Sequence, residues 1–290
     1  MMDQITSKVN EIQLQSTSSS QASGIAVLRG LAIRHLLTNT IVACALLIGT
    51  SVLLYAEDAT SQQRLSEAEK EAITQELKES ISRSDTPGVV ALVVGTGGVL
   101  YEGAAGKLGS GHETPMPKDA IFLIASMTKP VTSVAAMQLV EAGKIKLDDP
   151  VSRYLPGFDN LRVISKFNDA DGSYETRPAK RPMTIQHLLT HTSGIGYGFC
   201  NVIVKRLTEA TKKDEWQLPL LSDPGDQWNY GASTAVLGMI VEKVSGESLE
   251  TYFQEHIFQP LGMTDTSYAV PSNKQSRVAA IHRRTDGQLE

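Results

Sequence analysis

Apolar residues recur every fourth position at Ile73, Leu77 and Ile81 among polar and acidic neighbours, which predicts an amphipathic helix over Ser66 to Ser84. Ser66 and Glu69 form a capping-box pattern at its head, and Asp85-Thr86-Pro87-Gly88 stops it. The period then changes. "GVVALVVG" and "VLYEGAAG", joined across Gly95 to Gly98, predict a β-hairpin whose first strand is apolar on both faces. One hairpin is marginal by itself, so this one is expected to pair with other strands. From Ala125 to about Ala142 the chain is apolar nearly all round (Val131, Val134, Ala135, Ala136, Met137, Leu139, Val140), as in a helix at the middle of a domain. Lys144 to Asp149 closes it.

Asp159 to Arg181 is polar and rich in Asp, Asn and Gly, which predicts a surface excursion. A helix is expected from Thr184, in "TIQHLLTHTSGIG", with Gly194 as its stop. Another, "STAVLGMIVEKVSG", follows Tyr230 and ends at Gly246. Arg277 to Arg284 reads as a strand and Asp286-Gly287 as a hairpin turn, with Gln288, Leu289 and Glu290 left to form the returning strand. The chain is therefore expected to be truncated at its C-terminus, short of strands that the hairpin of residues 88–104 needs.

Composition narrows the partners. With 41% hydrophobic and 20% charged residues in 290, the chain can bury the core of one large domain or two small ones. Net charge is −5, and it becomes −6 without Met1 to Ala56, so nothing attracts a polyanion and no nucleic acid is expected as partner. The two cysteines, Cys44 and Cys200, cannot make a disulfide framework, and Cys200 reads as a small buried residue. The Ser/Gln-rich stretch within residues 1–39 reads as a disordered tail. Thr40 to Ala56 follows as a run of 17 uncharged residues, with Arg29 and Arg34 before it and Glu57 and Asp58 after it. That asymmetry marks an export signal or a membrane anchor, which puts residues 57–290 outside the cytoplasm, periplasmic, secreted or membrane-attached.

The candidate chemistry lies at the head of the interior helix. A serine hydroxyl is a weak nucleophile that needs a base within hydrogen-bond reach, and helix positions i and i+3 share one face. Ser126 and Lys129 have that spacing. Burial would lower the pKa of a lysine and let it act as base, and the helix N-terminus offers unpaired N–H groups, that of Ser126 among them, where an oxyanion forms. Pro130 falls in the first turn, where its missing N–H costs little. Ser-x-x-Lys arises by chance about once in a chain of this length, so the motif alone decides little. No serine has the flanking glycines of the G-x-S-x-G elbow. His187 and His191 have the spacing of zinc ligands, but Leu188 stands where a zincin has glutamate, and the pair reads as polar residues near a helix end.

Four blocks in order carry a resemblance: Ser126-Met127-Thr128-Lys129-Pro130, "LVEAGKIKLDDPVSRYLPGF", "TIQHLLTHTSGIG" and "PGDQWNYGASTAVLGMIVEKVSG". From about Ser66 to Glu290 the chain resembles the serine β-lactamase and penicillin-binding protein-like superfamily, nearest its class C-like branch with the family VIII carboxylesterases. The resemblance implies an α/β (α+β) β-lactamase/transpeptidase-like fold: an antiparallel sheet flanked by helices, and a mainly helical lobe from roughly Asp148 to Asp265. It implies Ser126 as acylated nucleophile, Lys129 as its base partner and Tyr230 as the tyrosine that relays a proton to the leaving group, with no cofactor and no metal. Ala232 stands where the lactamase-type Tyr-x-Asn motif has Asn, which moves the expected substrate from a β-lactam toward a small-molecule ester. A β-lactamase, a D-alanyl-D-alanine carboxypeptidase and a penicillin-recognising sensor remain alternatives. The third motif of the family would lie on a strand beyond Glu290.

Overall fold

The computed structural model describes residues 64–111, 113–285 and 288–289. The expected N-terminal tail, the Thr40 to Ala56 segment and the Asp286-Gly287 turn lie outside the described residues.

Helix α1 (Glu67–Ser82) starts at the capping box read from the sequence. The Ser66 N–H donates to Glu69 Oε2 at 2.8 Å and the Glu69 N–H donates to Ser66 Oγ at 3.3 Å, so two orphan donors of the helix end are satisfied reciprocally. The helix packs against the second strand of an antiparallel hairpin, β1 (Gly88–Gly95) and β2 (Gly98–Gly106), in register from Gly88 opposite Gly106 to Gly95 opposite Gly98. Thr74 Oγ1 and Tyr101 Oη, 2.9 Å apart, pin the two together. The strand apolar on both faces is not covered on both. Leu92, Val94 and Val99 are exposed, because among the described residues this sheet has two strands and α1 covers one face.

The main core is built from helices packed on one another. After a 3-10 turn at Ala125–Met127, α2 (Thr128–Glu141) packs Ala135, Ala136 and Leu139 inward. The short helix α3 (Ile185–Leu189) adds Ile185 and Leu188, and α4 (Val202–Thr211) buries Val204 and Leu207 in a smaller cluster. Helix α5 (Ser233–Ser245) lies against α2 and α3 with Val236, Leu237, Ile240 and Val241 wholly buried, and it stops at Gly246, whose φ of 81° suits a residue without Cβ. Helix α6 (Leu249–Phe253) runs into a π-turn at Gln254–Phe258 and closes the core with Phe253, Ile257 and Phe258.

Three sequence expectations are corrected. The polar stretch 159–181 is not a plain excursion but a hairpin, β3 (Arg162–Phe167) with β4 (Tyr174–Pro178). Val163 is buried and backbone bonds run both ways between this strand and Leu220, whereas the Asp, Asn and Gly residues that masked the pattern fill the connecting loop. The helix from Thr184 ends five residues before Gly194. His191 takes a left-handed φ of 55°, and Gly194 is a close-approach residue, since a Cβ there would lie 2.3 Å from the Ser222 carbonyl oxygen. Residues 277–284 are not a strand along their length. A 3-10 turn at Ser272–Arg277 leads to two backbone bonds with Ile121, which make an isolated parallel bridge at Val278, and one with Leu108; of this stretch only β5 (Arg284–Thr285) is a strand, paired with β6 (Gln288–Leu289).

Two long-range ties set the loop before α5. The buried Asp223 carboxylate accepts both arms of the Arg177 guanidinium, at 2.8 and 2.6 Å, and the Lys180 N–H at 2.9 Å. These bonds, the Arg177 pair first, hold its carboxyl well below the usual carboxylate range. Further along, Gly231 sits so close to the 195–196 segment that a Cβ would meet the Ile195 carbonyl oxygen at 2.0 Å. The Ser193 and Ser233 hydroxyls, 2.8 Å apart and both wholly buried, fasten the same two segments. Gly231→Ala must therefore push these segments apart, and it is expected to destabilise the protein by about 1–3 kcal/mol, the usual cost of overpacking. Urea unfolding with an unchanged midpoint would show that the segments part freely.

Candidate active site

Ser126 lies in the 3-10 turn that feeds α2, directly after Ala125, whose φ of 44° is left-handed for a residue with a Cβ. Such strain clusters where a side chain must be presented in one direction. Lys129 is the second residue of α2, one turn on, and its Nζ donates to Ser126 Oγ at 3.1 Å. Pro130 is third in the same helix, within the first turn, as the sequence suggested. Tyr230 arrives from the loop ahead of α5, 104 residues away in sequence, and its Oη donates to Ser126 Oγ at 2.7 Å. All three residues singled out in the sequence meet at one hydroxyl oxygen.

Their electrostatics are coupled. Tyr230 has its pKa lowered, first by its hydrogen bond with Ser126 and then by Lys129, whose bond and charge favour the phenolate. The Lys129 ammonium lies 4.9 Å from the Tyr230 ring centroid and 5.4 Å from that of Tyr197, within range of both ring faces. The expectation that α2 buries this lysine is only half met. Lys129 is half-buried and Ser126 exposed, because the apolar side of α2 faces α5 while its first turn opens to solvent.

The neighbours of Tyr230 were not legible as site residues. The His191 ring lies 5.1 Å from that of Tyr230, and its pKa is lowered by burial and then by the charge of Lys129. Its Nδ1 is buried with no hydrogen-bond partner among the described residues, and its carbonyl accepts the Asn229 N–H at 2.8 Å, steadying the residue before Tyr230. His187 is occupied elsewhere. Its Nδ1 accepts the Thr184 N–H at 3.2 Å in a capping box, so the two histidines that share a spacing do not share a helix face. Tyr197, Phe199 and Trp228 complete an aromatic cluster around Tyr230. The only sequence signal for it was a pair of aromatic-rich loops, Tyr197-Gly198-Phe199 and Trp228-Asn229-Tyr230. Cys200, expected to be buried, is exposed, since it sits on the turn just before the N-cap of α4. Ala232 is buried at the head of α5 and offers no amide to a ligand.

The Beta-lactamase family matches residues 69–289. Among curated proteins, the chain is 36% identical over 188 residues to monacolin J acid methylbutanoyltransferase from Aspergillus terreus, covering 60% of this chain and 45% of that one. It is 34% identical over 205 residues to lovastatin esterase from Penicillium rubens, covering 67% and 51%. The solved structure of unliganded simvastatin synthase from Aspergillus terreus superposes with a TM-score of 0.67 at 29% identity, over 76% of this chain and 61% of the other. The chain thus spans about half the length of the curated relatives it matches. Its mixed arrangement of helices and small antiparallel sheets is the β-lactamase/transpeptidase-like fold. With the family match running from the third residue of α1 to the last described residue, the chain belongs to the Beta-lactamase family.

Proposed function

We propose that this protein is a serine acyl hydrolase or acyltransferase that forms an acyl-enzyme on Ser126 and acts on small-molecule esters. The observation that carries the reading is the double hydrogen bond at Ser126 Oγ, from Lys129 Nζ and from Tyr230 Oη. A hydroxyl needs a base to attack a carbonyl, and a tyrosine with a lowered pKa beside a lysine cation is one. In this reaction Tyr230 acts as the phenolate that Lys129 favours, and Ser126 Oγ attacks the ester carbonyl as its proton passes to that phenolate oxygen. Tyr230 then returns that proton to the departing alkoxide. Water or a second alcohol takes the acyl group from Ser126 by the same path in reverse. The Ser126 N–H, at the head of α2, is the donor proposed for the oxyanion.

Esters are favoured over β-lactams because Ala232 supplies no side-chain amide, and because relatives carry the names esterase and acyltransferase. Neither cofactor nor metal enters the scheme. Export is proposed from the charge asymmetry around Thr40 to Ala56; among the described residues no helix is long and apolar enough to cross a membrane. An alkaline phosphatase fused after residue 63 is expected to be active outside the cytoplasm, and an inactive fusion would remove the export assignment.

Ser126→Ala in the full-length protein is expected to abolish both p-nitrophenyl ester turnover and labelling by a fluorophosphonate. Turnover that survives would exclude Ser126 as nucleophile. Lys129→Met tests the division of labour. Removing the cation raises the pKa of Tyr230 toward the ordinary phenol value of about 10. The rising limb of the kcat/KM profile therefore moves to higher pH, and the loss is greatest on the acid side of that limb. A uniform loss with no displacement of the limb would mean that Lys129 does not act through Tyr230.

A further inference from the structure

Among the described residues, Phe199 and Trp228 are the two most exposed aromatic side chains, at 77% and 67%. They come from loops that precede different helices, yet both pack on Tyr230. The Trp228 ring stacks on it at 6.1 Å and 21°, and the Phe199 ring meets it edge-on at 6.5 Å and 71°. Tyr197 stacks on Phe199 at 5.0 Å and 21°, so the phenyl ring is backed by a second ring rather than left loose. Backbone contacts hold the loop as well. Gly198 lies against Lys205, where a Cβ would approach its Cα to 3.2 Å, and the Gly198 N–H reaches Glu215 Oε1 at 3.4 Å. The result is an apolar shelf, backed by ring and backbone contacts, that begins at the ring whose hydroxyl touches Ser126. Exposed apolar surface continuous with a reactive centre marks a ligand surface.

The chemistry says which part of an ester would lie there. We propose that Phe199 and Trp228 form the subsite for the alcohol, both the one that leaves and the one that accepts, and that the alcohol is neutral and apolar. This rests on the acyl-enzyme reading above. In the first half-reaction the Ser126 Oγ–acyl bond forms and the acyl–alkoxide bond breaks, while the Ser126 proton passes through Tyr230 to the alkoxide oxygen. That oxygen must therefore come within hydrogen-bond reach of Tyr230 Oη, which places its substituent beside the rings that surround Tyr230. In the second half-reaction an incoming alcohol gives its proton to Tyr230 and its oxygen to the acyl carbon, so by microscopic reversibility it occupies the same place. Water has no substituent to lay on the shelf and gains nothing from it. An apolar alcohol does gain, and the shelf favours acyl transfer over hydrolysis.

The experiment supplies the full-length protein with vinyl butyrate, whose small leaving group makes little use of the shelf, and with benzyl alcohol and methanol together as acceptors. The ratio of benzyl butyrate to methyl butyrate, per molar acceptor, is read by chromatography. It is internal to each reaction and independent of how much enzyme is folded. In the wild type, benzyl butyrate is expected to dominate. Phe199→Ala and Trp228→Leu are each expected to lower the ratio roughly tenfold, the scale of one lost aromatic contact, and Phe199→Trp to keep it. A ratio unchanged by Phe199→Ala and Trp228→Leu overturns the subsite, and if preference for butyryl over acetyl donors changes instead, the shelf binds the acyl group. Those results leave the acyl-enzyme reading intact when intact mass shows butyryl on Ser126. Absence of any Ser126 adduct overturns both.

Discussion

The contact between Gly231 and the Ile195 carbonyl is the constraint on which the site depends. No other residue type fits there without displacing backbone, since a Cβ would stand 2.0 Å from that oxygen. The close approach lets the buried hydroxyls of Ser193 and Ser233 meet, and it brings the 191–199 segment and the 222–233 segment to lie side by side. Tyr230, His191 and Phe199 are neighbours for this reason, although they come from two separate stretches of chain. The Asp223 clamp on Arg177 and Lys180 anchors the far end of the same loop to β4. Thus a hairpin with no chemistry of its own helps determine where Tyr230 stands.

Within that frame the charges have distinct places. Lys129 lies between Ser126 and two aromatic rings, and its positive charge acts on both Tyr230 and His191 in ways that follow from its sign. It favours the phenolate of Tyr230 and disfavours the imidazolium of His191. A neutral histidine beside an ionisable tyrosine leaves Lys129 as the local cation in the proposed proton-transfer group. The exposed rings of Phe199 and Trp228 put aromatic surface beside this group, in keeping with the uncharged ester proposed as substrate.

Much of the fold could be read locally. The capping box at Ser66 and Glu69, the hairpin across Gly95 to Gly98 and the stop at Gly246 depend on residues a few positions apart, and each stands where the pattern put it. Where the reading failed, a distant partner decided. The strand at Arg162–Phe167 is held by Leu220, and the polar residues around it gave no period to follow. Gly194 looked like a helix stop because its reason for being glycine, the Ser222 carbonyl, lies 28 positions further along the chain.

The site divides along the same line. Ser126 and Lys129 meet because positions three apart near a helix start share a face, so the sequence by itself determined that pair. It also pointed to Tyr230, but only through the order of blocks that resemble a family. That Tyr230 reaches the same oxygen, that Lys129 is half exposed, and that Phe199 stands beside Tyr230 were decided by tertiary structure alone. The physical reason is that these contacts join segments roughly 30 to 100 residues apart, and only close packing, at a glycine and between two buried serines, brings such segments within hydrogen-bond and ring-stacking distance.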